Sequence, residues 1–306
     1  MRPARALLCV ATLAAGLAFP GVAHADPATV EWSEAWPRVR WWEVIDSLVL
    51  TVGDTEFENR VPLPTHASWT SPILFDTAAR NLLRGRTAAV QSTASTTADI
   101  LWKGGALVPF VVDDFFGALS LHQNVEVAWQ LAVIDLQSFG VAGIVSLGVE
   151  HSVGRARPYT ESCGPNGKVL DAQGHVMETC GGPNDDRSFF SGHATSGATA
   201  AGLVCLHHQH LPLFGGGIAD LAPCLAMIGV AAAAGMLRMV YDQHWASDVM
   251  VGWTDGVLSG YVLPALLHFG PSGRRPIGDV QVGSMHMAPT LLARPGGTEL
   301  GMVGVF

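Results

Sequence analysis

Charged residues are scarce in this chain, and lysine is nearly absent. Only 14% of the 306 residues are charged, and of the 17 basic residues all but Lys103 and Lys168 are arginines. The low charge excludes a disordered protein, and the net charge of −9 argues against a nucleic-acid-binding protein. The preference for arginine favours planar, bidentate contacts with anions over contacts made by a point charge.

Apolar residues are abundant instead. They make up 49% of the chain, the mean hydropathy is +0.31, and long apolar runs have the length of helices. The runs lie at 106–121, 125–149, 193–211, 221–237 and 249–269. They predict an all-α fold, a helical bundle that is embedded in a membrane or packed around a large interior. Near the C-terminus, the alternating segments VQVGSMHM and ELGMVGVF predict a short β-like tail.

The first 25 residues have the features of a secretory signal peptide. Arg2 and Arg5 precede an apolar stretch at 6–19, and Ala-His-Ala at 23–25 provides a small-x-small cleavage site. An uncleaved signal anchor is the alternative. We therefore divide the chain into a signal peptide at 1–25, an N-terminal extension with amphipathic or capping helices at 26–95, a helical domain with the candidate catalytic residues at 96–270, and a tail at 271–306.

Four cysteines follow the signal peptide, an even number that suits an oxidising compartment. Cys163 and Cys180 enclose a polar, glycine-containing stretch, which predicts a loop closed by a disulfide. Cys205 and Cys224 lie symmetrically about the turn LPLFGGG, so two antiparallel helices would bring them to one depth. This second pair is either another disulfide or two buried free thiols.

Two polar segments beside the apolar runs contain groups that suit an anion. In the first, Pro158 should end a helix and leave Arg157 at its mouth. In the second, Ser191-Gly192-His193 opens a helix of small residues. Its glycine permits close backbone approach, and the free N–H groups of a helix start attract negative charge.

A third segment contains Arg238, His244 and Asp248 at the spacing Arg-x5-His-x3-Asp. On a helix, His244 and Asp248 would lie one turn apart, so the carboxylate could hold Nδ1–H and leave Nε2 free to attack. Each segment alone is typical of a helix cap or a charge cluster. Together they supply the charge clamps, the nucleophile and the acid that phosphoryl transfer to an enzyme nucleophile needs.

The order and spacing of these segments resemble the phosphatidic acid phosphatase type 2 superfamily, whose signature runs Lys-x6-Arg-Pro, Pro-Ser-Gly-His and Ser-Arg-x5-His-x3-Asp. The resemblance covers about residues 95–270. It implies a helical bundle of the phosphatidic acid phosphatase and haloperoxidase type. His244 would be the nucleophile that forms a phosphohistidine, Asp248 would orient it, and His193 would protonate the leaving oxygen. The implied site needs no metal and no cofactor, and its phosphate-binding residues are Arg157, Arg238, Ser191 and Gly192.

Three positions depart from the family pattern. Phe190 replaces the proline before Ser191, and Leu237 replaces the serine before Arg238. Neither position has to carry charge. Glu150 stands where the family has a phosphate-binding lysine, and a carboxylate pointing inward there would repel the substrate. Two arrangements would relieve this repulsion: Glu150 pairs with Arg155 and turns away, or Lys103 supplies the missing ammonium group.

The order of the apolar runs also predicts which way the site faces. If the helices alternate, 155–193 and 238–248 share one side, and Arg274 and Arg275 mark the opposite side as cytoplasmic. We expect an exported protein of the cell envelope, embedded in the membrane, with its site facing the periplasm or exterior. The expected substrate is a phosphorylated lipid or a small phosphoester, with membrane lipid around the bundle and no nucleic acid as a partner.

Four other functions are compatible with parts of this pattern. A soluble secreted acid phosphatase would have the same site inside a large helical core. A catalytically weak or silent membrane protein would follow from Glu150. A vanadate-dependent haloperoxidase shares the fold but is disfavoured by the missing lysine. Finally, the tract HHQH, with His207, His208 and His210, could bind a metal, although such a tract is more often solvated.

Overall fold

A computed structural model describes residues 30–64, 66–269, 280–282, 285–294 and 297–305. The predicted signal peptide lies outside the described residues, as do Arg274 and Arg275. Eight α-helices follow one another along the described chain: α1 Trp41–Arg60, α2 Asp76–Leu83, α3 Ala88–Val108, α4 Val125–Val153, α5 Gly192–His210, α6 Ile218–Val240, α7 Ala246–Val257 and α8 Leu263–Leu267.

Two π-helical segments continue these helices. Pro109–Leu121 extends α3, and Leu258–Val262 joins α7 to α8. The runs predicted as helices are therefore confirmed, and most of them are longer than predicted. Three short elements complete the central part of the chain: a 3-10 turn at Pro158–Ser162 and the antiparallel strands β1 Lys168–Leu170 and β2 Val176–Thr179.

Local chemistry explains the two ends of α4. At its start, the side chain of Asn124 accepts a hydrogen bond from Val127 N at 3.0 Å and so caps the helix. At its end, Gly154 adopts the left-handed conformation, with φ 58° and ψ 53°. The sequence predicted that Pro158 would end this helix. The end is instead set four residues earlier by Gly154, which leaves Arg155 and Arg157 in an extended segment.

Helix α5 packs closely against α7 and the π-helical segment that follows it, because glycines of that segment leave room for the α5 backbone. A Cβ atom added at Gly256 would lie 2.3 Å from the carbonyl oxygen of Thr195, and one added at Gly260 would lie 2.2 Å from that of Thr199. These contacts fix the α7 segment against α5 almost backbone to backbone. The first turns of both helices are therefore held at the same end of the bundle.

The N-terminal part of the described chain belongs to the same core as the long helices. Trp32 and Trp36 are buried against Phe269, with ring centroids 5.3 Å apart in each pair. Leu203 and Leu206 of α5 belong to the same buried cluster. The predicted boundary between extension and helical domain, at 95/96, falls inside α3.

Both candidate cysteine pairs form disulfides. Cys163–Cys180 encloses the β1–β2 hairpin, and Cys205–Cys224 joins α5 to α6. The alternative of two free thiols at 205 and 224 is therefore wrong. In the tail, β3 Val280–Val282, β4 Met285–Arg294 and β5 Gly297–Val305 form a three-stranded antiparallel sheet. The prediction of an all-α bundle with a short β-like tail is confirmed.

Four helical segments are long and apolar enough to cross a membrane: Ala88–Leu121, Val125–Val153, Ile218–Val240 and Ala246–Leu267. Many of their large apolar side chains point outward rather than into the bundle, among them Leu107, Phe115, Trp129, Leu225, Ile228 and Leu258. An apolar exterior of this kind is unfavourable in water and favourable in lipid. The fold therefore supports embedding in a membrane.

Candidate active site

The three polar segments meet at one cavity of about 650 Å³ at the end of the bundle. The loop after α4 contributes Arg157, the first turn of α5 contributes Gly192 and His193, the last turn of α6 contributes Arg238, and the loop before α7 contributes His244. Five of the seven residues predicted for catalysis and phosphate binding therefore line a common space. Two guanidinium groups and a helix start make this space suitable for an anion.

The other two predicted residues lie behind the cavity wall. Ser191 immediately precedes α5, and its buried hydroxyl makes no hydrogen bond within the described part of the chain. Asp248 is fully buried in the first turn of α7. Its carboxylate accepts hydrogen bonds from Ser188 Oγ at 2.6 Å and from Trp245 N at 2.8 Å. Asp248 is therefore placed to fix the surrounding backbone.

His244 is held by a backbone carbonyl. Its Nδ1 lies 2.7 Å from the oxygen of Ser188 and 3.9 Å from Asp248 Oδ2, which is too long for a hydrogen bond. The sequence suggested that both side chains would lie on one helix face, but α7 begins at Ala246, after His244. Asp248 is connected to His244 only through Ser188. Its carboxylate accepts a hydrogen bond from the hydroxyl of Ser188, and the carbonyl of Ser188 accepts Nδ1–H of His244.

This contact leaves Nε2 as the ring nitrogen of His244 that is free to face a ligand in the cavity. Nε2 lies 3.5 Å from Arg157 Nη1 at the cavity wall. Burial and then the positive charges of Arg157 and Arg238 lower the pKa of His244 well below its usual 6.5. The imidazole is therefore neutral at neutral pH, with Nδ1 protonated towards Ser188 and a lone pair on Nε2.

His193 has a different environment from His244. Its Nε2 lies 2.8 Å from Oδ1 of Asp99 on α3, and its ring lies 4.5 Å from that of Trp102. Burial and the charge of Arg238 lower the pKa of His193 to about 4, whereas the hydrogen bond with Asp99 opposes this shift. Asp99 was not identified from the sequence, because 94 positions separate it from His193 and no motif surrounds it.

The two arginines predicted to bind phosphate are restrained to different degrees. Arg157 donates from Nε to the carbonyl of Asn184 at 2.8 Å and from Nη1 to Gln243 Oε1 at 2.7 Å. Arg238 has a buried Nε without a hydrogen bond in the described structure, and its Nη1 lies 3.9 Å from Asp99. Arg157 is thus pre-oriented, and Arg238 retains donors for a ligand.

Arg155 does not line the cavity and lies instead in a buried network of hydrogen bonds and ion pairs. It is fully buried, donates to Asp76 Oδ2 at 2.7 Å and to Ser247 Oγ at 2.8 Å, and also bonds Asp248. Its guanidinium carbon lies 3.9 Å from the centre of the Trp69 ring. The suggestion that Arg155 pairs with Glu150 is therefore wrong. Arg155 connects the starts of α2 and α7.

The partner of Glu150 is Arg187, which the sequence analysis did not identify. Arg187 binds both oxygens of Glu150 at 3.0 Å and also binds Glu58, and all three residues line the cavity. Lys103 is exposed and does not line the cavity, so it is not the replacement for the missing lysine. The cation beside position 150 is therefore Arg187, the residue before Ser188.

We predict that a Glu150→Gln variant binds inorganic phosphate about three to ten times more tightly than the wild type, which corresponds to about 1 kcal/mol. The change removes one negative charge from the cavity and releases Arg187 from a partner. Isothermal titration calorimetry measures the affinity. Glu161→Gln, at an exposed carboxylate outside the cavity, is the control and should bind as the wild type. Weaker binding by Glu150→Gln would show that the carboxylate is needed to position Arg187.

Similarity to a known protein family agrees with this geometry. Residues 132–269 match the family model of the PAP2 superfamily. No curated protein sequence matches the chain significantly. Among solved structures, the chain is similar to a transmembrane PAP2 type phosphatidylglycerolphosphate phosphatase from Bacillus subtilis, at 14% sequence identity. The alignment covers 72% of this chain and 95% of that one, with a TM-score of 0.44.

The matched segment contains all the residues singled out in the three polar segments, from Arg157 to Asp248. The match supports a hydrolase of the phosphatase type. The resemblance stated from the sequence is thus confirmed over residues 132–269, which match the PAP2 superfamily model.

Proposed function

We propose that the protein hydrolyses a phosphomonoester or pyrophosphate, in a lipid substrate, through a phosphohistidine at His244. The observation that supports this most directly is the neutral, oriented imidazole whose Nε2 faces the cavity beside Arg157. In the first step, the Nε2 lone pair forms a bond to phosphorus while the bond from phosphorus to the leaving oxygen breaks. Arg157 and Arg238 neutralise the charge on the phosphoryl oxygens.

His193 donates a proton in the first step and accepts one in the second. As an imidazolium it gives a proton to the leaving oxygen in the first step, which makes the alcohol or phosphate a better leaving group. In the second step, the neutral ring takes a proton from a water molecule that attacks phosphorus and releases His244. A bound phosphate dianion and Asp99 both favour the charged form of His193, so substrate binding counteracts the low pKa of the empty site.

The shape of the cavity favours a substrate with an apolar tail. Away from the charged groups, its wall contains the apolar side chains of Phe139, Ala142 and Leu147 on α4. From Phe139 to Glu150 the helix rises by about 16 Å, so the cavity extends well beyond a phosphate group. Together with the apolar exterior of the bundle, this arrangement suits a lipid whose headgroup reaches the charged end.

The position of the site suggests its orientation. The disulfide Cys163–Cys180 closes the hairpin beside the cavity, and Glu178 of that hairpin accepts a hydrogen bond from Gln243 at 2.7 Å. Disulfides persist in oxidising compartments. We therefore place the active site on the periplasmic or exterior face of the membrane.

The intermediate provides the first test. Rapid mixing with a ³²P-labelled phosphate ester, followed by an alkaline quench, should trap an acid-labile, base-stable adduct in the wild type. His244→Ala should form no adduct and lower kcat by about 10⁴ or more. His175→Ala, at an exposed histidine of the hairpin loop, is the control and should keep full activity. Full turnover by His244→Ala would exclude this nucleophile.

The pH dependence provides a second test. Because His193 must be protonated for the first step and its pKa is lowered to about 4, kcat/KM should rise as the pH falls from 8 to 6. His244 does not oppose this trend, because its own pKa lies well below 6.5. Asp99→Asn removes a group that raises the pKa of His193, so its profile should move to lower pH. A rate that falls between pH 8 and 6 would contradict these assignments.

A third test separates a lipid phosphatase from a soluble acid phosphatase. Ala142→Phe should fill the apolar part of the cavity and lower kcat/KM for dioleoyl phosphatidic acid in mixed micelles by about tenfold or more. Hydrolysis of p-nitrophenyl phosphate, which has no such tail, should change little. Leu225→Phe, on the exposed face of α6, is the control. Equal effects of Ala142→Phe on both substrates would favour the non-specific acid phosphatase.

A further inference from the structure

A second cluster of ionisable side chains lies inside the bundle, far from the phosphate cavity. The π-helix at Pro109–Leu121 contributes Asp113 and Asp114, α4 contributes Asp135, and α5 contributes His207. Asp113, Asp135 and His207 are 0% exposed and Asp114 is 5% exposed. Because His207 follows His193 by 14 residues on α5, the two sites are about 21 Å apart along the helix.

Three potential metal-binding atoms converge in this cluster. One side-chain atom each from Asp114, Asp135 and His207 lies within 4.8 Å of the other two. His207 Nε2 is 3.2 Å from Asp135 Oδ1, without the geometry of a hydrogen bond. Both carboxylate oxygens of Asp114 and of Asp135 are buried without a hydrogen bond from any described residue. Acceptors that face one another in this way need a cation or a shared proton.

The outer contacts of the cluster fix the donor atom of His207. Its Nδ1 lies 2.9 Å from Asp113 Oδ2, and the other oxygen of Asp113 lies 3.2 Å from His208 Nε2. Nδ1–H of His207 therefore donates to Asp113, and Nε2 faces Asp135. Histidines that bind metals are commonly held by a carboxylate in this way.

The backbone supports the same interpretation. In a regular α-helix, successive residues point about 100° apart, yet both Asp113 and Asp114 are buried in the bundle. They lie on a 13-residue π-helix, a rare conformation that frequently occurs at functional sites. Asp113 contacts the rings of His207 and His208, whereas Asp114 faces Asp135 and His207. Two adjacent carboxylates thus have separate positions in one site.

We propose that Asp114, Asp135 and His207 bind one divalent transition-metal ion of the zinc class, with Asp113 as the positioning residue for His207. One imidazole nitrogen and two carboxylate oxygens form a donor set that suits such an ion, and water completes its coordination. The ion would offset the buried negative charge and join the π-helix, α4 and α5. Of the HHQH tract, only His207 would be a ligand, because His208 contacts Asp113 and Asp220.

Zinc binding to the detergent-purified full chain, after treatment with a chelator and dialysis, tests the proposal. The wild type should bind one zinc per chain in calorimetry. Asp135→Asn and His207→Gln should bind zinc at least about 100 times more weakly than the wild type. Asp113→Asn should bind it about 10 to 100 times more weakly. Asp255→Asn, at a partly buried carboxylate of α7, is the matched control and should bind as the wild type. Zinc-edge X-ray absorption should show one imidazole ligand, which is lost in His207→Gln.

Misfolding of a variant is separated from loss of the site by using the wild type alone. Its melting temperature in detergent should fall after chelation and return when one equivalent of zinc is added. Stripped wild type that binds no zinc above background would overturn the proposal, as would zinc binding by Asp135→Asn at wild-type affinity. The first result would mean that protons, not a metal ion, offset the charge of Asp114 and Asp135, and the second that zinc binds at another site.

Discussion

The geometry of the candidate active site depends on the contacts of one buried group, the guanidinium of Arg155. It bonds Asp248 at the start of α7 and Asp76 at the start of α2, and it stacks on Trp69. Asp248 in turn binds the hydroxyl of Ser188, whose carbonyl holds His244. Breaking a buried charge pair by removing one partner typically costs about 3–5 kcal/mol, so this chain of contacts strongly favours a single arrangement.

The two histidines at the cavity differ because their partners differ. His244 donates to a neutral carbonyl and faces arginines, so it stays uncharged. His193 has the carboxylate of Asp99 beside it, a partner that favours the charged ring. The proposed acid and the proposed nucleophile are thus distinguished by environment, although both side chains are imidazoles. The order of events in the proposed mechanism follows from this difference.

The replacement of a lysine by Glu150 does not leave the cavity without compensation. Arg187 binds Glu150 in a bidentate contact and brings a permanent positive charge to the cavity wall. The cation and the carboxylate neutralise one another, so an anion that binds beside Arg187 would have to compete with Glu150. Such competition would affect the binding of the anion more than it would affect the proposed phosphoryl transfer to His244.

The sequence predicted most of the helices and the three segments that form the cavity, because apolar runs and motif spacing are local signals. Arg157, His193, Arg238 and His244 were found in this way. Asp99, Arg187 and the carbonyl of Ser188 were not, since they meet the site only through tertiary packing. The position of His244 before α7 depends on where a helix begins, which is among the least reliable features of a sequence pattern.

The cluster around His207 illustrates the same limit. A tract of three histidines near a helix end gives no indication of which ring is buried against carboxylates. The partners Asp113, Asp114 and Asp135 come from two other helices, and only the bundle brings them together. The sequence shows aspartates within apolar runs, but it does not show that these aspartates meet in one cluster.

The central claim is that the contact between Ser188 and Nδ1 of His244 directs the phosphoryl group to the opposite nitrogen. The measurement that tests it most directly is nuclear magnetic resonance of the base-stabilised phosphoenzyme, prepared with ¹⁵N-labelled histidine. Coupling between ³¹P and ¹⁵N identifies the modified ring nitrogen. We predict that phosphorus is bonded to Nε2 of His244. A phosphoryl group on Nδ1, or on His193, would contradict the account.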